Sequence, residues 1–298
     1  MPEEGMQWMK REQLLSYEEI ARLAGVFASL GVSHIRLTGG EPLMRSDLHT
    51  LVAMLRHIPG ITDIALTTNG YFLAERVGQL MQAGLTRLNV SLDSLDPRMI
   101  ADLTRRDYFE RIWAGIEESE RLGLGPIKLN VVLIRGVNDN EILRFAELAR
   151  TRPFIVRFIE FMPIGKEDGW TMERVVPAAE VLATIARRYP LSPVVEDDRR
   201  PAERYRFSDG SGEVGVISSV TQPFCDHCDR VRITSDGKFR TCLFSLQETD
   251  LRSMLRGGAG DGELEDVIAG AVRAKEEGHL INRPGFVRPE RTMSRIGG

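Results

Sequence analysis

All three cysteines of the chain fall between residues 225 and 242, in the stretch PFCDHCDRVRITSDGKFRTCLF. Their spacing is C-x2-C-x13-C. A C-x-x-C turn lets two thiolates reach one metal centre, and the third arrives from a neighbouring segment. A structural zinc site wants four ligands, so His227 or His279 would have to complete it. An iron–sulfur cluster also normally takes four cysteines; with three, one iron is left open to bind something else. A disulfide with one thiol over is a third arrangement, disfavoured in a reducing compartment. The spacing alone leaves these open. Arg230 and Arg232 follow at once. If RVRIT is a strand, alternation puts both on one face, and guanidinium groups suit phosphates and purine acceptor edges. A solvated strand face would have the same pattern.

Something must hold these residues in place, and 298 residues are enough for one α/β barrel. Hydrophobic residues make up 42% and charged residues 28%, a normal balance for a soluble globular protein. The net charge of −4 lacks the basic excess of a nucleic-acid-binding domain, so no nucleic-acid polymer is expected as partner. No apolar run reaches the roughly 20 residues that span a bilayer. MPEEGMQWMKREQLL lacks the apolar stretch of a signal peptide, and the expected compartment is the cytoplasm.

Through residue 170 helical patterns alternate with short β-branched runs. SYEEIARLAGVFASLG opens with a capping box, Ser16 and Glu19, and Gly31 stops it. SHIRL, ITDIALTT, LTRLNVSL, PIKLNVVLI and FIVRFIEF read as five strands, each preceded by a helix, in a parallel α/β sheet or barrel. Polar and glycine residues cluster after the strands, in TGGEP, TTNG, SLDS, RGVND and MPIG, where such folds place their sites. VPAAEVLATIARRYP is a further helix, and LSPVVEDDRRPAE reads as a charged surface linker. From about 203 the elements shorten into an appended unit around the cysteines. The expected division is 1–170 and 171–298.

The ordered set IRLTGGEPLMR, LTTNG, LNVSLDSLD, KLNVVLIRGVND, RFIEFMPIG, CDHCDRVRITSDGKFRTCLF and RTMSRIGG closely resembles the GTP 3′,8-cyclase family of radical S-adenosylmethionine enzymes. The resemblance runs the length of the chain. It implies a (β/α)6-type TIM barrel followed by an auxiliary iron–sulfur cluster region. It implies that GTP is cyclised to (8S)-3′,8-cyclo-7,8-dihydroguanosine 5′-triphosphate, the first step of molybdenum cofactor biosynthesis. In that chemistry reductive cleavage of S-adenosylmethionine yields a 5′-deoxyadenosyl radical. The radical takes hydrogen from C3′ of GTP, and C3′ then attacks C8 of guanine. The resemblance also gives Cys225, Cys228 and Cys242 an auxiliary [4Fe-4S] cluster whose open iron holds the guanine. Gly40, Ser91 and Met162 become S-adenosylmethionine contacts. Arg36, Thr67, Lys128, Arg157, Arg230, Val231 and Arg232 become GTP contacts. Arg36, Arg230, Arg232 and the terminal Gly297 and Gly298 join the catalytic set. Expected partners are an electron donor, the downstream cyclic pyranopterin monophosphate synthase and a second copy of the chain.

One departure stands out. The family holds its first four-iron cluster on C-x3-C-x2-C, and this chain has no cysteine before 225. In the family that motif is followed by a sequence close to MPEEG, with which this chain opens. The first barrel strand is then expected to be missing, making the barrel incomplete. S-adenosylmethionine cleavage is expected only with a segment carrying that motif, and the chain as written is expected to be inactive. The rival reading is a non-catalytic protein with one cluster and a bound guanine nucleotide.

Overall fold

The computed structural model describes residues 9–165, 169–195, 201–281 and 284–297. Helix α1 (Tyr17–Ser29) starts at the expected capping box: Ser16 accepts from the Glu19 amide at 3.1 Å, and Glu19 accepts from the Ser16 amide at 2.7 Å. The chain then runs β1 (His34–Leu37), α2 (Leu48–Arg56), β2 (Asp63–Thr68), α3 (Leu73–Ala83) and β3 (Arg87–Ser91). It continues through α4 (Pro97–Thr104), α5 (Phe109–Arg121), β4 (Ile127–Leu133), α6 (Ile142–Thr151) and β5 (Phe154–Glu160). All five strands stand where the sequence places them, paired in parallel in order β1-β2-β3-β4-β5. Helix α4 was not anticipated. Asp96 caps it by accepting from Arg98 N at 2.9 Å, and Pro97 takes the first position, where a missing amide costs nothing.

The sheet does not stop at residue 170. After α7 (Ala178–Ala186) come β6 (Leu191–Pro193), β7 (Glu203–Phe207) and β8 (Glu213–Ile217). Strand β8 pairs in parallel with β5, while β7 and β6 follow antiparallel. Part of the expected linker, Leu191–Pro193, is therefore an edge strand. Its pairing comes from Tyr205–Phe207, too distant in sequence to be read locally. Among the described residues, β1 and β6 are the two outer strands of this eight-stranded sheet.

Along these strands one face is apolar and one polar. Ile35, Leu37, Ile64, Leu66, Leu88, Val90, Leu129, Val131, Val156, Phe158, Val214 and Val216 belong to the main core under the helices. The other face carries Arg36, Thr67, Asn89, Ser91, Lys128, Asn130 and Arg157, at alternate positions. Beyond it lie β9 (Arg232–Ile233), β10 (Lys238–Arg240) and β11 (Thr249–Asp250), a small antiparallel sheet. Helices α8 (Leu251–Arg256) and α9 (Asp261–Arg273) pack with α1 through a second apolar cluster. The short α10 (Met293–Ile296) ends the described chain, with Ile296 in a third cluster beside Ile164 and Phe244.

Candidate functional site

Strand register builds the polar face in layers. Thr67 pairs with Asn89 and Asn89 with Lys128, forming one layer. Ser91 pairs with Asn130, Asn130 with Arg157 and Arg157 with Gly215, forming the next. Asn89 joins the layers. Its amide nitrogen donates to Leu66 O at 3.1 Å and Thr67 Oγ1 at 3.3 Å, and its oxygen accepts from Arg157 Nη2. Arg157 is buried, and a Cβ on Gly215 would stand 3.2 Å from its Cγ, so the glycine makes room for its stem. Among the described residues, Asn130 Oδ1 is buried without a hydrogen-bond partner, an acceptor on a residue that pairs with Ser91 and Arg157 in the sheet. Asn89 and Asn130 were not singled out from the sequence. Their only signal is alternation, a polar residue on the strand face opposite the apolar core positions.

Above the strand ends, TGGEP is organised by Glu41. Its carboxylate accepts from Leu43 N at 3.0 Å, Thr68 Oγ1 at 2.7 Å and Asn69 N at 2.7 Å. Burial raises the Glu41 pKa, and these donors only partly offset it. This ties the first two strand-end loops together. Gly40 lies under the C-terminal segment: a Cβ there would touch Ser294 O at 3.5 Å. Ser91 ends β3 exposed at the same edge. Met162 packs in the third apolar cluster with Cys242 and Met293.

Three arginines converge at this mouth. Water reaches Arg36, yet protein surrounds it. That desolvation, then the charges of Arg87 and Arg230, hold its pKa below the usual range. Arg232 is pushed down to about 10, by burial first and then by Arg230, with Arg36 adding to the effect. Like charges gathered this way call for an anion. Strand β9 is shorter than RVRIT suggests. Arg230 stands in the loop before it, with its guanidinium 5.0 Å from the Phe224 ring centre. Val231 packs toward the second apolar cluster, so its side chain does not join the arginines. Lys275, beyond α9, fixes this loop by donating to Cys228 O at 2.7 Å and Arg230 O at 3.2 Å.

The described end of the chain enters the same place. Arg232 Nε donates to Gly297 O at 3.4 Å, and a Cβ on Gly297 would lie 3.1 Å from Thr38 Cγ2. Gly297 also has φ of 93°, which a side chain would strain. Gly298 lies outside the described residues.

Cys225 and Cys228 share one 3-10 turn, closed by Cys228 N to Cys225 O at 3.1 Å, and Cys242 follows β10. All three are free and half-buried. Among the described residues no three His, Cys, Asp or Glu side chains are arranged to hold a single metal ion. The thiols are still close enough that Cys242 and Cys228 raise the Cys225 pKa, after burial, the larger cause. The Cys228 thiol is lowered instead: burial opposes this, but hydrogen bonding from the Arg230 amide and the Arg230 charge outweigh it. A cluster binds each thiolate through a different iron, so its ligands stand further apart than those of one ion. The wall beside Cys225 is bare backbone: a Cβ on Gly278 would lie 3.2 Å from its Sγ. Three half-buried thiols, an adjoining backbone wall and neighbouring cations suit an anionic thiolate-bound cluster.

Two family profiles match in succession. One, described as Radical SAM superfamily, covers residues 3–149; the other, Molybdenum Cofactor Synthesis C, covers residues 154–281. The GTP 3′,8-cyclase of Moorella thermoacetica is 46% identical over 299 residues, covering 100% of this chain and 92% of that protein. The GTP 3′,8-cyclase of Corynebacterium glutamicum is 43% identical over 309 residues, covering 100% and 82%. The chain belongs to the GTP 3′,8-cyclase family. The mitochondrial GTP 3′,8-cyclase of Arabidopsis thaliana is also similar, 42% identical over 301 residues and covering 76% of that protein.

Proposed function

We propose that this chain has the function of its family: S-adenosylmethionine-dependent cyclisation of GTP to 3′,8-cyclo-7,8-dihydroguanosine 5′-triphosphate, the entry to molybdenum cofactor biosynthesis. The observation that carries the proposal is the convergence of Arg36, Arg230 and Arg232 beside the cysteine turn, with Gly297 against Arg232. GTP brings about four negative charges, which this cationic mouth would neutralise. Lys128 and Arg157 would add to it from the sheet face, and Thr67, held by Asn89, would offer a hydroxyl. The Val231 contribution would come from its backbone. Gly40, Ser91 and Met162 would line the S-adenosylmethionine side, nearest the strand-end loops. A four-iron cluster on Cys225, Cys228 and Cys242 would supply an iron open to the guanine.

The family's first cluster finds no thiolates in this sequence, whose cysteines are 225, 228 and 242. The alternative reading is a protein with one cluster and a bound guanine nucleotide. No helix of the described residues is long and apolar enough to cross a membrane. A cytoplasmic setting, a homodimer, an electron donor and a downstream pyranopterin synthase complete the proposal.

The deciding experiment is anaerobic reconstitution with iron and sulfide, followed by GTP titration and an assay with S-adenosylmethionine and a reductant. Iron loading that tightens GTP binding, with 5′-deoxyadenosine and cyclised nucleotide formed, supports the cyclase. Iron loading and GTP binding without S-adenosylmethionine cleavage, even in a form that carries the C-x3-C-x2-C segment, support the second reading. Absence of GTP binding sinks both.

A further inference from the structure

We propose that Arg291, clamped between Asp236 and Glu248, is the positioning residue that sets where the C-terminal glycine segment enters the site. The inference rests on the reading of Gly297 as part of that site. Arg291 Nη1 and Nη2 donate to the Asp236 carboxylate at 3.2 and 3.0 Å. Its Nη2 and Nε also meet Glu248, at 3.0 and 2.7 Å. Burial alone would lower the Arg291 pKa, but the bonds to Asp236 and both carboxylate charges raise it.

The partners are themselves fixed. Asp236 is buried in the turn between β9 and β10 and also accepts from Thr234 Oγ1. Glu248 also pairs with the buried Arg240, which donates to Leu243 O and Ser245 O. A fork-shaped guanidinium held by two carboxylates has one orientation, which an ammonium would not reproduce.

The geometry gives the clamp its purpose. The hairpin that offers Asp236 at its turn carries Arg232 on β9, and Arg232 meets Gly297 O. One hairpin therefore grips the segment twice, at Arg291 and at Gly297. Between those points lies α10, a stiff spacer whose Ile296 is buried in the third apolar cluster. Fixing Arg291 thus fixes the place of Gly297. Among the described residues, no hydrogen bond or ion pair links Arg291, Asp236 or Glu248 to Arg36, Arg230 or Arg232.

The test uses hydrogen–deuterium exchange and GTP titration on the anaerobically reconstituted chain. Arg291→Ala is expected to speed exchange of amides 293–297 at least about tenfold, with β1–β5 unchanged, since charge-assisted bonds hold the segment. Arg291→Lys is expected to recover only part of that protection. Asp236→Asn reports the clamp from its other side and should loosen the same amides. GTP affinity should fall with Arg291→Ala, but show no further loss when the same change is made in a chain ending at Ile296. Unchanged exchange in Arg291→Ala overturns the clamp, because Ile296 packing alone would then hold the segment. An additional loss of affinity in the shortened chain also overturns it, by showing that Arg291 acts elsewhere. Faster exchange with GTP binding unaffected in every variant keeps the clamp and instead removes Gly297 from the GTP site.

Discussion

Asn89 shows how much of this site rests on single polar side chains. It is 2% exposed and holds both Thr67 and Arg157. Asn89→Ala leaves a buried guanidinium nitrogen without this acceptor, at a cost of about 1–3 kcal/mol. Urea unfolding should show the loss, and GTP affinity should fall with it. Asp93 makes a different point. Its carboxylate lies inside the protein, accepts from Val132 N at 2.8 Å, and has its pKa raised by burial to about 6. The folded chain therefore holds that proton more tightly than the unfolded chain. The contribution is fully present below the unfolded value and is lost as pH rises through about 6. Asp93→Asn keeps an oxygen for Val132 and removes the buried charge. Above pH 6 it should be more stable than the parent by on the order of 2–3 kcal/mol, with the gap closing toward pH 4. Urea midpoints at several pH values check this. The cysteines and arginines were legible because their types and spacing are unusual. Asn89, Asn130 and Glu41 were not, because a polar residue in or after a strand has many ordinary explanations until its partners are known.

At the level of elements, the helices and first five strands were legible because apolar periodicity and turn residues agree along the chain. Strands β6 to β8 were harder. Their pairing is non-local, and ERYRF and EVGVI give no sign that β8 joins β5. Gly212 marks that junction. A Cβ there would lie 2.1 Å from Ala149 O, a backbone atom that cannot swing aside. Gly212→Ala should push the β7–β8 hairpin off the end of α6 and cost roughly 1–3 kcal/mol. A lowered thermal midpoint, with added exchange in β8, is the expected reading. An unchanged midpoint would mean that the hairpin can shift without loss.

Taken as a whole, the molecule is acidic, at net −4, yet gathers cations at one mouth. Its attraction for GTP should therefore be local and salt-sensitive. Raising salt from about 50 to about 500 mM shortens the screening length from near 14 to near 4 Å. The GTP dissociation constant measured by calorimetry should rise across that range, and less steeply in Arg230→Ala or Arg232→Ala. A flat profile would mean that the nucleotide is held by something other than these charges.

Glu160 ends β5, and its carboxylate accepts from Ala178 N at 3.0 Å, Val220 N at 2.7 Å and Thr221 N at 2.8 Å. The last two partners are 60 and 61 residues further along the chain, just before the cysteine turn. Such distant contacts form late, once the sheet that carries Glu160 exists. Glu160 thus ties the segment that leads into the cysteine turn to the end of β5. If the cysteines hold the cluster proposed above, the polypeptide would mature first and inorganic loading would follow.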